Sequence, residues 1–354
     1  MRVYLECEGP VFAGQKRLHD NVLTSREDIP GSIIRASLAR SILKKCPLFR
    51  FDEADPLGRY NWVYVRDEEK CAGCLQYEIC RSFSDWKIGF LRPEGIEVLS
   101  FHDRVCKNNK SHGIHTGNDT RCRICGGRLE GASGWKKDGQ IYEFKRIRTT
   151  RTAIDKYTGT AQEGTLHSVE AIYDPDILWV FEAENVPEDV FRPGDVLRLG
   201  KYTAVGYGHF VVKKTEEGLK EKSLNISGSE ISLMLETDAL LPQDAFDNEP
   251  VSNEEYINKW NGILFRGLKS LKLISLQAET DVYRGYDTTR GWGNSLKEPY
   301  LTIEKGSTFT FEIADLSQAE GEILNLLNNG IGHETENGYG RLKIINEGGQ
   351  ICNE

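Results

Sequence analysis

The fold is decided by a glycine-rich stretch near the end of the chain, Gly330-Ile331-Gly332-His333-Glu334-Thr335-Glu336-Asn337-Gly338-Tyr339-Gly340-Arg341-Leu342. A related stretch lies mid-chain, Leu199-Gly200-Lys201-Tyr202-Thr203-Ala204-Val205-Gly206-Tyr207-Gly208-His209. Glycine lets a backbone take positive φ and approach another group closely, and successive free N–H groups in such loops can bind an anion. A single stretch would suit an ordinary hairpin turn equally well. The repetition predicts two similar domains, each presenting a loop to a long anionic partner.

Length and composition describe a globular protein. The chain has 354 residues, of which 39% are hydrophobic and 28% charged, which is enough for two domains of ordinary size. The sequence contains no run of about 18 apolar residues, so it predicts no transmembrane helix. The N-terminus enters a strand pattern directly and lacks the apolar core of a signal peptide. We therefore expect a cytoplasmic protein with no membrane partner.

Charge is distributed unevenly along the sequence. The net charge is −9, but residues 101–160 carry thirteen Lys/Arg and six Asp/Glu, a balance of +7. Residues 161–260 carry eight against twenty, a balance of −12. Such asymmetry predicts a basic track for an anionic ligand and an acidic face for a protein neighbour, although a solvated charge run has the same composition.

The cysteine pattern predicts structural zinc. Nine cysteines without an export signal argue against a disulfide framework, and four of them form two CxxC pairs. Two such turns placed face to face supply the four soft donors of a tetrahedral zinc, which favours the set Cys71, Cys74, Cys122 and Cys125. Because 47 residues separate the pairs, the second pair could instead close with Cys106 and a nearby histidine, and Cys80 is a third possibility.

Hydrophobic periodicity predicts the order of elements in the first domain. Arg2–Cys7 alternates as a strand, and Ser32 is a plausible N-cap of a helix whose apolar residues recur at Ile34, Leu38 and Ile42. After a cysteine-rich segment, strands are predicted at 165–172 and 177–183, a short helix over 186–196 that Pro193-Gly194 interrupts, and a closing strand after the first glycine-rich loop. This order is βαββαβ with a metal-binding insertion.

A basic segment lies upstream of the first glycine-rich loop. Lys145, Arg146, Arg148 and Arg151 are interleaved with β-branched residues, and cationic side chains beside hydroxyl groups suit contacts with phosphates. An ordinary charged edge strand has the same character. The position of the segment before the loop favours RNA contact, with Arg198 and Lys201 beside it.

The second domain repeats the order of the first. Residues 213–229 are charged and contain glycine and serine, and they predict a linker, after which strands and helices recur up to the terminal loop. We therefore predict an α+β protein with domains over 1–213 and 230–354, a linker over 214–229 and a cysteine-rich insertion over about 65–135 in the first domain.

Five segments resemble a known family. The terminal GIGHETENGYGRLKI resembles the glycine-rich signature of the CRISPR-associated RAMP superfamily. The segments IPGSIIRASLAR, RTAIDKYTGTAQEGTLHSVEAI, LRLGKYTAVGYGHF and RGWGNSLKEPYLTIEKGSTFTF are similar to the crRNA 5′-handle-binding RAMP subunit of type III effector complexes, the III-D version in particular. The resemblance runs from the first strand to the last but does not cover residues of about 65–135.

The resemblance implies both a fold and a role. It implies two tandem ferredoxin-like (RRM-like) domains whose glycine-rich loops face crRNA in antiviral defence. Its partners would be the 5′ tag of the crRNA, the large polymerase-like subunit and the backbone RAMP subunits. Carried over by position, the residues lining the tag path would be Ser32, Arg35, Lys201, Gly206, Gly208, Gly332, Gly338, Gly340 and Arg341. Glu334 and Glu336 are unusual beside phosphate and could instead face a protein.

The sequence leaves three functions open. The first is a non-catalytic RNA-binding subunit. The second is a metal-independent repeat endoribonuclease, since relatives in the superfamily use a histidine as general acid or base, and His19 is the residue we would assign to that role. The third is a zinc-stabilised protein scaffold. The chain has no phosphate-binding Walker motif, because Gly200-Lys201-Tyr202 lacks the required glycine spacing and the hydroxyl for magnesium.

Overall fold

A computed structural model of the chain describes residues 1–19, 21–115, 119–218, 223–226, 228–241, 252–291, 296–345 and 349–352. The protein is α+β, with many short strands and few helices. The helices of the described residues are α1 (Gly31–Lys44), α2 (Glu68–Cys71), α3 (Tyr77–Ser82), α4 (Asn253–Leu264) and α5 (Leu316–Asn329). Among these helices, none combines the length and apolar character that crossing a membrane requires.

The strands of the described residues follow in chain order. They are β1 (Arg2–Cys7), β2 (Gln15–His19), β3 (Val22–Ser25), β4 (Lys87–Ile88), β5 (Arg92–Pro93), β6 (Glu97–Val98), β7 (Arg104–Cys106), β8 (Ile114–His115), β9 (Leu129–Gly131), β10 (Trp135–Lys137), β11 (Gln140–Tyr142), β12 (Arg146–Arg151), β13 (His167–Ile172), β14 (Leu178–Glu184), β15 (Val196–Arg198), β16 (His209–Glu216), β17 (Ser223–Ile226), β18 (Glu230–Leu235), β19 (Ala239–Leu241), β20 (Leu271–Gln277), β21 (Thr280–Tyr283), β22 (Tyr300–Ile303), β23 (Thr308–Ile313), β24 (Leu342–Ile344) and β25 (Gly349–Cys352).

The chain divides into two compact units, neither of which is continuous in sequence. Unit 1 contains residues 1–94 and 143–218, and unit 2 contains residues 95–142 and 219–354. The predicted insertion over about 65–135 is thus shared between the units rather than lying wholly in the first. The predicted linker over 214–229 also carries regular structure, because β16 extends to Glu216 and β17 pairs with β25.

Unit 1 is built on an antiparallel sheet with the order β15-β16-β1-β14-β4, in which β5 also pairs with β14. Strand β1 lies at its centre because it is apolar on both faces, with Val3, Tyr4 and Leu5 buried. Helix α1 packs against this sheet at β4 and β15, and it buries Ile34, Leu38 and Ile42 as their spacing predicted. A second sheet has the order β12-β13-β3-β2.

Two local predictions in unit 1 are wrong. Ser32 does not cap α1, because the helix begins one residue earlier and Pro30 occupies the cap position without a side-chain hydrogen bond. The helix predicted over 186–196 is only a 3-10 turn at Glu188–Val190 followed by β15. Pro193 cannot donate a backbone hydrogen bond, and Gly194 has φ of 92°. The segment therefore forms a turn at these residues and not a helix.

Unit 2 contains an antiparallel sheet with the order β20-β23-β18-β24. In chain order, helix α4 lies between β19 and β20, and α5 lies between β23 and β24. Both helices begin at side-chain caps, since Ser252 accepts from the N–H of Glu255 and Asp315 from that of Ser317. The core between sheet and helices is aromatic, with Trp260, Phe265, Phe309 and Phe311 nearly inaccessible to solvent.

The two main sheets share one strand order. In unit 1 the strands β16, β1, β14 and β4 are arranged as β24, β18, β23 and β20 are in unit 2. Helix α1 follows β1 as α4 follows β18. The two units differ in chain order: β15 comes between β14 and β16 in unit 1, whereas α5 comes between β23 and β24 in unit 2.

Residues 95–142 are attached to unit 2 by specific contacts. The N–H of Phe101 donates to the carbonyl of Gly306 at 2.9 Å, and His102 Nε2 lies 3.0 Å from the Thr308 hydroxyl. Lys305 Nζ lies 4.5 Å from the ring centroid of the buried Trp135. These long-range contacts explain why the cysteine-rich segment cannot be assigned to a domain by sequence position.

Candidate nucleic-acid interface and metal centre

The two glycine-rich loops have the same backbone hydrogen bonds. In unit 1 the N–H groups of Leu199, Lys201 and Gly208 donate to the carbonyls of Gly208, Phe12 and Pro10, at 2.8, 2.8 and 2.7 Å. In unit 2 the N–H groups of Ile331, His333 and Gly340 donate to the carbonyls of Gly340, Leu240 and Asp238, at 3.0, 2.8 and 2.8 Å. The two related glycine-rich stretches of the sequence therefore also share one backbone structure.

Each loop requires its last glycine. A Cβ on Gly208 would collide with the carbonyl oxygen of Leu199, and a Cβ on Gly340 would collide with that of Ile331. Both residues also have positive φ, 61° and 70°. A Cβ on Gly206, by contrast, would meet nothing within 4 Å, so Gly206 lies at an open surface of the first loop.

A left-handed residue begins a 3-10 turn in both loops. Tyr202, with φ of 61°, precedes the turn Thr203–Val205, and Glu334, with φ of 54°, precedes the turn Thr335–Asn337. Non-glycine residues seldom adopt this conformation, and it holds the side chain of each at the same place in its loop. The two loops therefore share a backbone but present different chemistry at this position.

In the first loop this position belongs to a cluster of one arginine and two tyrosines, Arg151, Tyr202 and Tyr207. The guanidinium carbon of Arg151 lies 4.1 Å from the ring centroid of Tyr202 and 5.0 Å from that of Tyr207. The Thr149 hydroxyl lies 3.1 Å from the Tyr207 hydroxyl. Thr149 and Arg151 thus share one face of β12, as strand alternation predicted.

The cluster packs against buried apolar residues of unit 1. Tyr207 is buried with Phe12, Val169 and Ala171, and Tyr202 packs against the same group. Burial acts to raise the pKa of Tyr207, but the hydrogen bond to Thr149 and the neighbouring Arg151 charge bring the pKa below its usual value. Arg151 Nε is buried and has no hydrogen-bond partner within the described chain. The arginine is therefore held in place by its stacking and by its hydrogen bond to Tyr207, and its Nε–H remains available as a donor.

The structure places the other predicted basic residues in two groups. Those used within the protein are Arg35, Lys145, Arg146 and Arg341. Arg35 donates to the carbonyls of Phe83, Ser84 and Trp86, each at 3.0 Å. Lys145 contacts Asp174 and Asp176, Arg146 contacts Glu27 and Glu170, and Arg341 contacts Glu236. Their charges are compensated by internal partners, which favours a structural role for them.

The second group has exposed side chains, namely Arg148 on β12, Arg198 at the end of β15 and Lys201 in the first loop, and Lys201 also has an interaction within the protein. Val205 at the loop tip is also 63% exposed. Ser32 is half-buried in the first turn of α1. Unit 1 thus presents cationic side chains on the two segments that carry the Arg151 cluster, β12 and the first loop.

The second loop is electrostatically different. Lys297 forms an ion pair with Glu334, and the Tyr283 ring lies 6.1 Å from that of Tyr339. The ion pair raises the pKa of Lys297 against the effect of its own burial. Glu336 is exposed. The acidic residues that set this loop apart in sequence therefore comprise one neutralised carboxylate and one that faces solvent.

Four donors converge in residues 95–142 of unit 2. Cys106, His112, Cys122 and Cys125 place their ligand atoms within 4.8 Å of one another. The sulfurs of Cys106 and Cys125 are 3.5 Å apart, and Cys122 Sγ lies 3.4 Å from His112 Nδ1. Zinc–sulfur bonds of about 2.3 Å in a tetrahedron separate the donors by about 3.8 Å, so the set fits a zinc ion.

The backbone favours the thiolate form of Cys122. Burial acts to raise the pKa of Cys122, but backbone N–H groups of Cys125 and Ile124 lower it to about 6. The N–H of Gly127 donates to Cys125 Sγ at 3.4 Å, and Gly126 turns the chain at φ of 67°. At Cys125 the N–H of Gly127 acts to lower the pKa, but the sulfurs of Cys106 and Cys122 raise it above its usual value. With four protein ligands, such a site has no open coordination position and is structural in type.

The ligand set differs from the favoured prediction. Cys122 and Cys125 are joined by Cys106 and a nearby histidine, which was the stated alternative. Cys71 and Cys74 belong to unit 1 and are not members of this group. The first CxxC pair lies on α2 and in the turn after it. It belongs to a different compact unit from the second CxxC pair. Spacing along the sequence could not show this division.

Histidines in the described chain have separate local roles. His209 Nε2 lies 2.9 Å from the carbonyl of Thr203, and His167 Nδ1 lies 3.0 Å from that of Thr165. His19 is the last residue of β2, and its side chain is outside the described part of the structure. The assignment of His19 as a general acid or base stays a prediction.

Sequence reasoning missed the most specific feature of this interface, the two tyrosines. In the sequence, Tyr202 and Tyr207 stand out only as members of a glycine-rich stretch. The tyrosine at 207 recurs as Tyr339 in the second loop, also buried, and this repetition was a usable signal. His112 was visible as a nearby histidine, but only the fold places it beside Cys122.

Similar proteins are found among solved structures. No protein-family model and no curated protein matches the chain. A chain of the type III-B Cmr-beta complex bound to cognate target RNA and AMPPnP is 14% identical, with 95% of this chain and 91% of that chain covered and a TM-score of 0.49. A second Cmr-beta structure bound to cognate target RNA is 13% identical, with 88% and 86% covered and a TM-score of 0.44.

A further structure is the CRISPR endoribonuclease Cse3 bound to a 19-nucleotide RNA. It is 13% identical, with 49% of this chain and 75% of that chain covered and a TM-score of 0.27. These neighbours are CRISPR-associated proteins, the class that the sequence resembles. With TM-scores below 0.5, what this chain binds has to be inferred from its own residues.

Proposed function

We propose that this protein is a non-catalytic RNA-binding subunit of a type III CRISPR effector complex. In this role its two units are ferredoxin-like domains, and the protein holds the 5′ repeat-derived tag of the crRNA. Its protein partners are the large polymerase-like subunit and the backbone RAMP subunits. The observation that carries the proposal is the cluster of Arg151, Tyr202 and Tyr207 on the first glycine-rich loop.

The chemistry of the cluster suits single-stranded RNA. Aromatic rings and arginine planes stack on bases, and cationic side chains beside them bind phosphates. Arg151 is already oriented by two rings, and a guanidinium fixed in this way loses little entropy when it binds. Arg148 and Lys201 add exposed positive charge on the same two segments. The open backbone at Gly206 lets a phosphate or sugar approach closely.

We assign the second loop a different task. Its backbone is the same, but Glu334 replaces the tyrosine of the first loop and Glu336 faces solvent. Because Lys297 neutralises Glu334, the exposed negative charge of the loop is that of Glu336, which is unfavourable beside phosphate but complements a basic protein surface. In this proposal the second loop contacts a protein subunit of the complex.

The metal centre supports the fold in this proposal. Cys106, His112, Cys122 and Cys125 would hold zinc and tie residues 95–142 together, as in small metal-dependent modules. The surrounding core is small, comprising Leu99, Val105 and Ala132 in one cluster and Leu129 beside the cysteines in another. A metal tie is therefore an expected source of its stability.

Binding of labelled RNA to the full-length protein tests the proposal. Fluorescence anisotropy with an oligonucleotide carrying the 5′ tag should show salt-sensitive binding, without cleavage of the RNA on a denaturing gel. Arg148→Ala/Lys201→Ala should weaken binding, and Arg192→Ala, a surface arginine of the same unit paired with Asp189, is the matched control.

Two other results would replace the proposal. Cleavage of the repeat RNA that is lost in His19→Ala would assign the endoribonuclease function. Absence of salt-sensitive binding, both alone and in the assembled complex, would leave the zinc-stabilised scaffold.

A further inference from the structure

Three basic residues of unit 2 lie side by side on adjacent chain segments. The N–H of Lys107 donates to the carbonyl of Arg128 at 2.9 Å, and Arg128 forms an antiparallel β-bridge with Arg121. Because neighbouring strands are about 4.8 Å apart, the three backbones extend over about 10 Å. We call Lys107, Arg128 and Arg121 the basic row.

The basic row is fixed in place by the buried residues next to it. Cys106, Cys122 and Leu129 form one buried cluster, and each adjoins a member of the basic row in sequence. Successive residues of an extended chain point to opposite sides, and all three cationic side chains are accordingly exposed. Two of the buried residues are candidate metal ligands. The residues that form the metal centre therefore also direct the basic row toward solvent.

The charges of the basic row are not compensated within the described part of the chain. No described carboxylate forms an ion pair with any of the three, although the neighbouring Arg123 is paired with Asp119 at 2.8 Å. Arg121 donates to the carbonyl of Gly126 at 3.2 Å, which leaves its charge unneutralised. Like charges that face each other on neighbouring strands destabilise a sheet. The row therefore lowers the stability of the free protein, and a bound polyanion would remove that cost.

The turn beside the basic row adds an apolar side chain and an open backbone. Ile124, between Cys122 and Cys125, is 67% exposed, and a Cβ on Gly126 would meet nothing within 4 Å. Single-stranded RNA offers phosphates for the cations and unstacked bases for the apolar side chain, and zinc knuckles are among the modules that bind it. The carboxylates of an acidic protein segment would use only the cations. The combination therefore favours RNA.

We propose that the basic row is a second RNA-binding surface, which contacts the phosphates of a single strand while Ile124 lies against a base. Contacts of this kind position an RNA without reading its sequence. The surface belongs to unit 2, whereas the Arg151 cluster belongs to unit 1. It requires neither the 5′ tag nor the first glycine-rich loop, so its test is independent of the function proposed above.

Photocrosslinking of the full-length wild-type protein tests the proposal without any variant. The probe is a tag-free oligouridine that carries thiouridine, and mass spectrometry identifies the peptides that it labels. Labelled peptides should include residues 104–131. Labelling of residues 104–131 alone would support this surface and contradict the RNA contact of the first loop. Labelling confined to unit 1 would overturn the present proposal.

Competition in the same assay distinguishes RNA from an acidic protein segment. Unlabelled oligouridine should remove the labelling of residues 104–131, and polyaspartate of equal charge should leave most of it. Equal displacement by polyaspartate would assign the basic row to an acidic protein segment and would overturn the proposal.

Anisotropy titrations with the same oligouridine measure the contribution of the cations. They use the full-length Arg148→Ala/Lys201→Ala protein, in which binding at the first loop is weakened. Adding Lys107→Ala/Arg128→Ala removes two phosphate contacts. The slope of log K against log salt should then fall by about 1.4, and the affinity at about 0.1 M salt should fall about 25-fold.

Two further pairs of substitutions control for net charge and for folding. Arg266→Ala/Lys269→Ala removes the same two charges from exposed positions of unit 2 after α4, and it should leave the slope unchanged. Lys107→Arg/Arg128→Lys keeps both charges and should keep the slope, because counterion release depends on charge. A fall in slope in either control equal to that in Lys107→Ala/Arg128→Ala would overturn the proposal.

Discussion

Arg151 is the proposed RNA contact whose side chain is held in one orientation by its neighbours. Its guanidinium lies over Tyr202 and beside Tyr207, and Tyr207 is fixed in turn by Thr149 and by the buried group around Phe12. Neighbouring basic residues of the same segment, Lys145 and Arg146, are held by carboxylates. The fold thus gives Arg151 aromatic neighbours and gives Lys145 and Arg146 carboxylate partners, which is why we propose only Arg151 of these three as an RNA contact.

The first prediction concerns Arg151. We expect Arg151→Ala to weaken binding of tag RNA about tenfold, because one stacked cationic contact is lost. The slope of log K against log salt should fall by about 0.7, as for one phosphate contact to a single strand. Anisotropy titrations at several salt concentrations measure both quantities.

Arg146→Ala is the comparison for that prediction. Because Arg146 bonds to Thr24 and Glu27, its loss should lower the melting temperature and leave the salt slope unchanged. An equal change of slope in both variants would show that the loss at Arg151 is not a direct RNA contact.

At the scale of elements, the glycine-rich loop is a unit used twice. Both copies bond the same backbone positions and both contain a left-handed residue before a 3-10 turn. A Cβ would collide with the backbone at Gly208 and Gly340, so these positions require glycine. At Gly206 the loop is open, and a Cβ would meet no atom within 4 Å. Loop shape and loop chemistry can therefore be changed separately.

The second prediction separates these two kinds of glycine. Gly208→Ala should destabilise unit 1 by more than about 2 kcal/mol, since the new methyl group collides with a carbonyl and the backbone is left-handed. Gly206→Ala should cost only about 1 kcal/mol, the cost of positive φ alone. Thermal unfolding of the two variants measures the difference, and equal melting temperatures would refute the steric argument.

The third prediction concerns the candidate metal centre of Cys106, His112, Cys122 and Cys125. Removal of the metal by a strong chelator, or the variant Cys122→Ser, should loosen residues 95–142, because structural zinc contributes about 10 kcal/mol to small modules. Hydrogen exchange should become faster in β7, β8 and β9, which carry or flank the ligands. Exchange in β1 and β14 of unit 1 is the internal control, and loosening there to the same extent would point to global unfolding.

At the scale of the whole molecule, compact units and sequence domains do not coincide. Residues 95–142 leave unit 1 in the middle of the chain and contribute to unit 2. Their contacts with the second half include Phe101 with Gly306, His102 with Thr308 and Lys343 with Glu97. Unit 2 is therefore incomplete when it is defined by the C-terminal part of the sequence alone.

The fourth prediction follows from that division. A fragment of residues 219–354 should melt at a lower temperature than the same fragment joined by a short linker to residues 95–142. Without that segment, Gly306 and Thr308 lose hydrogen-bond partners at a surface that is normally covered. Circular dichroism melts of the two fragments measure the effect, and identical melting temperatures would show that residues 95–142 give unit 2 no stability.

The sequence by itself determined strand β1, helix α1 and the repeated loops, because hydrophobic periodicity and glycine requirements are local. It also indicated a metal site with Cys122 and Cys125, since a CxxC turn is a local device. Local signals failed over 186–196, where Pro193 and Gly194 overrode a weak helical pattern.

Only the tertiary structure decided which residues act together. It assigned Arg146 to Glu27 and Arg151 to two tyrosines, although the two arginines belong to one strand. It also separated the two CxxC pairs between units and joined Cys106 and His112 to the second. These choices depend on contacts between residues far apart in the chain, and neither composition nor spacing carries information about such distances.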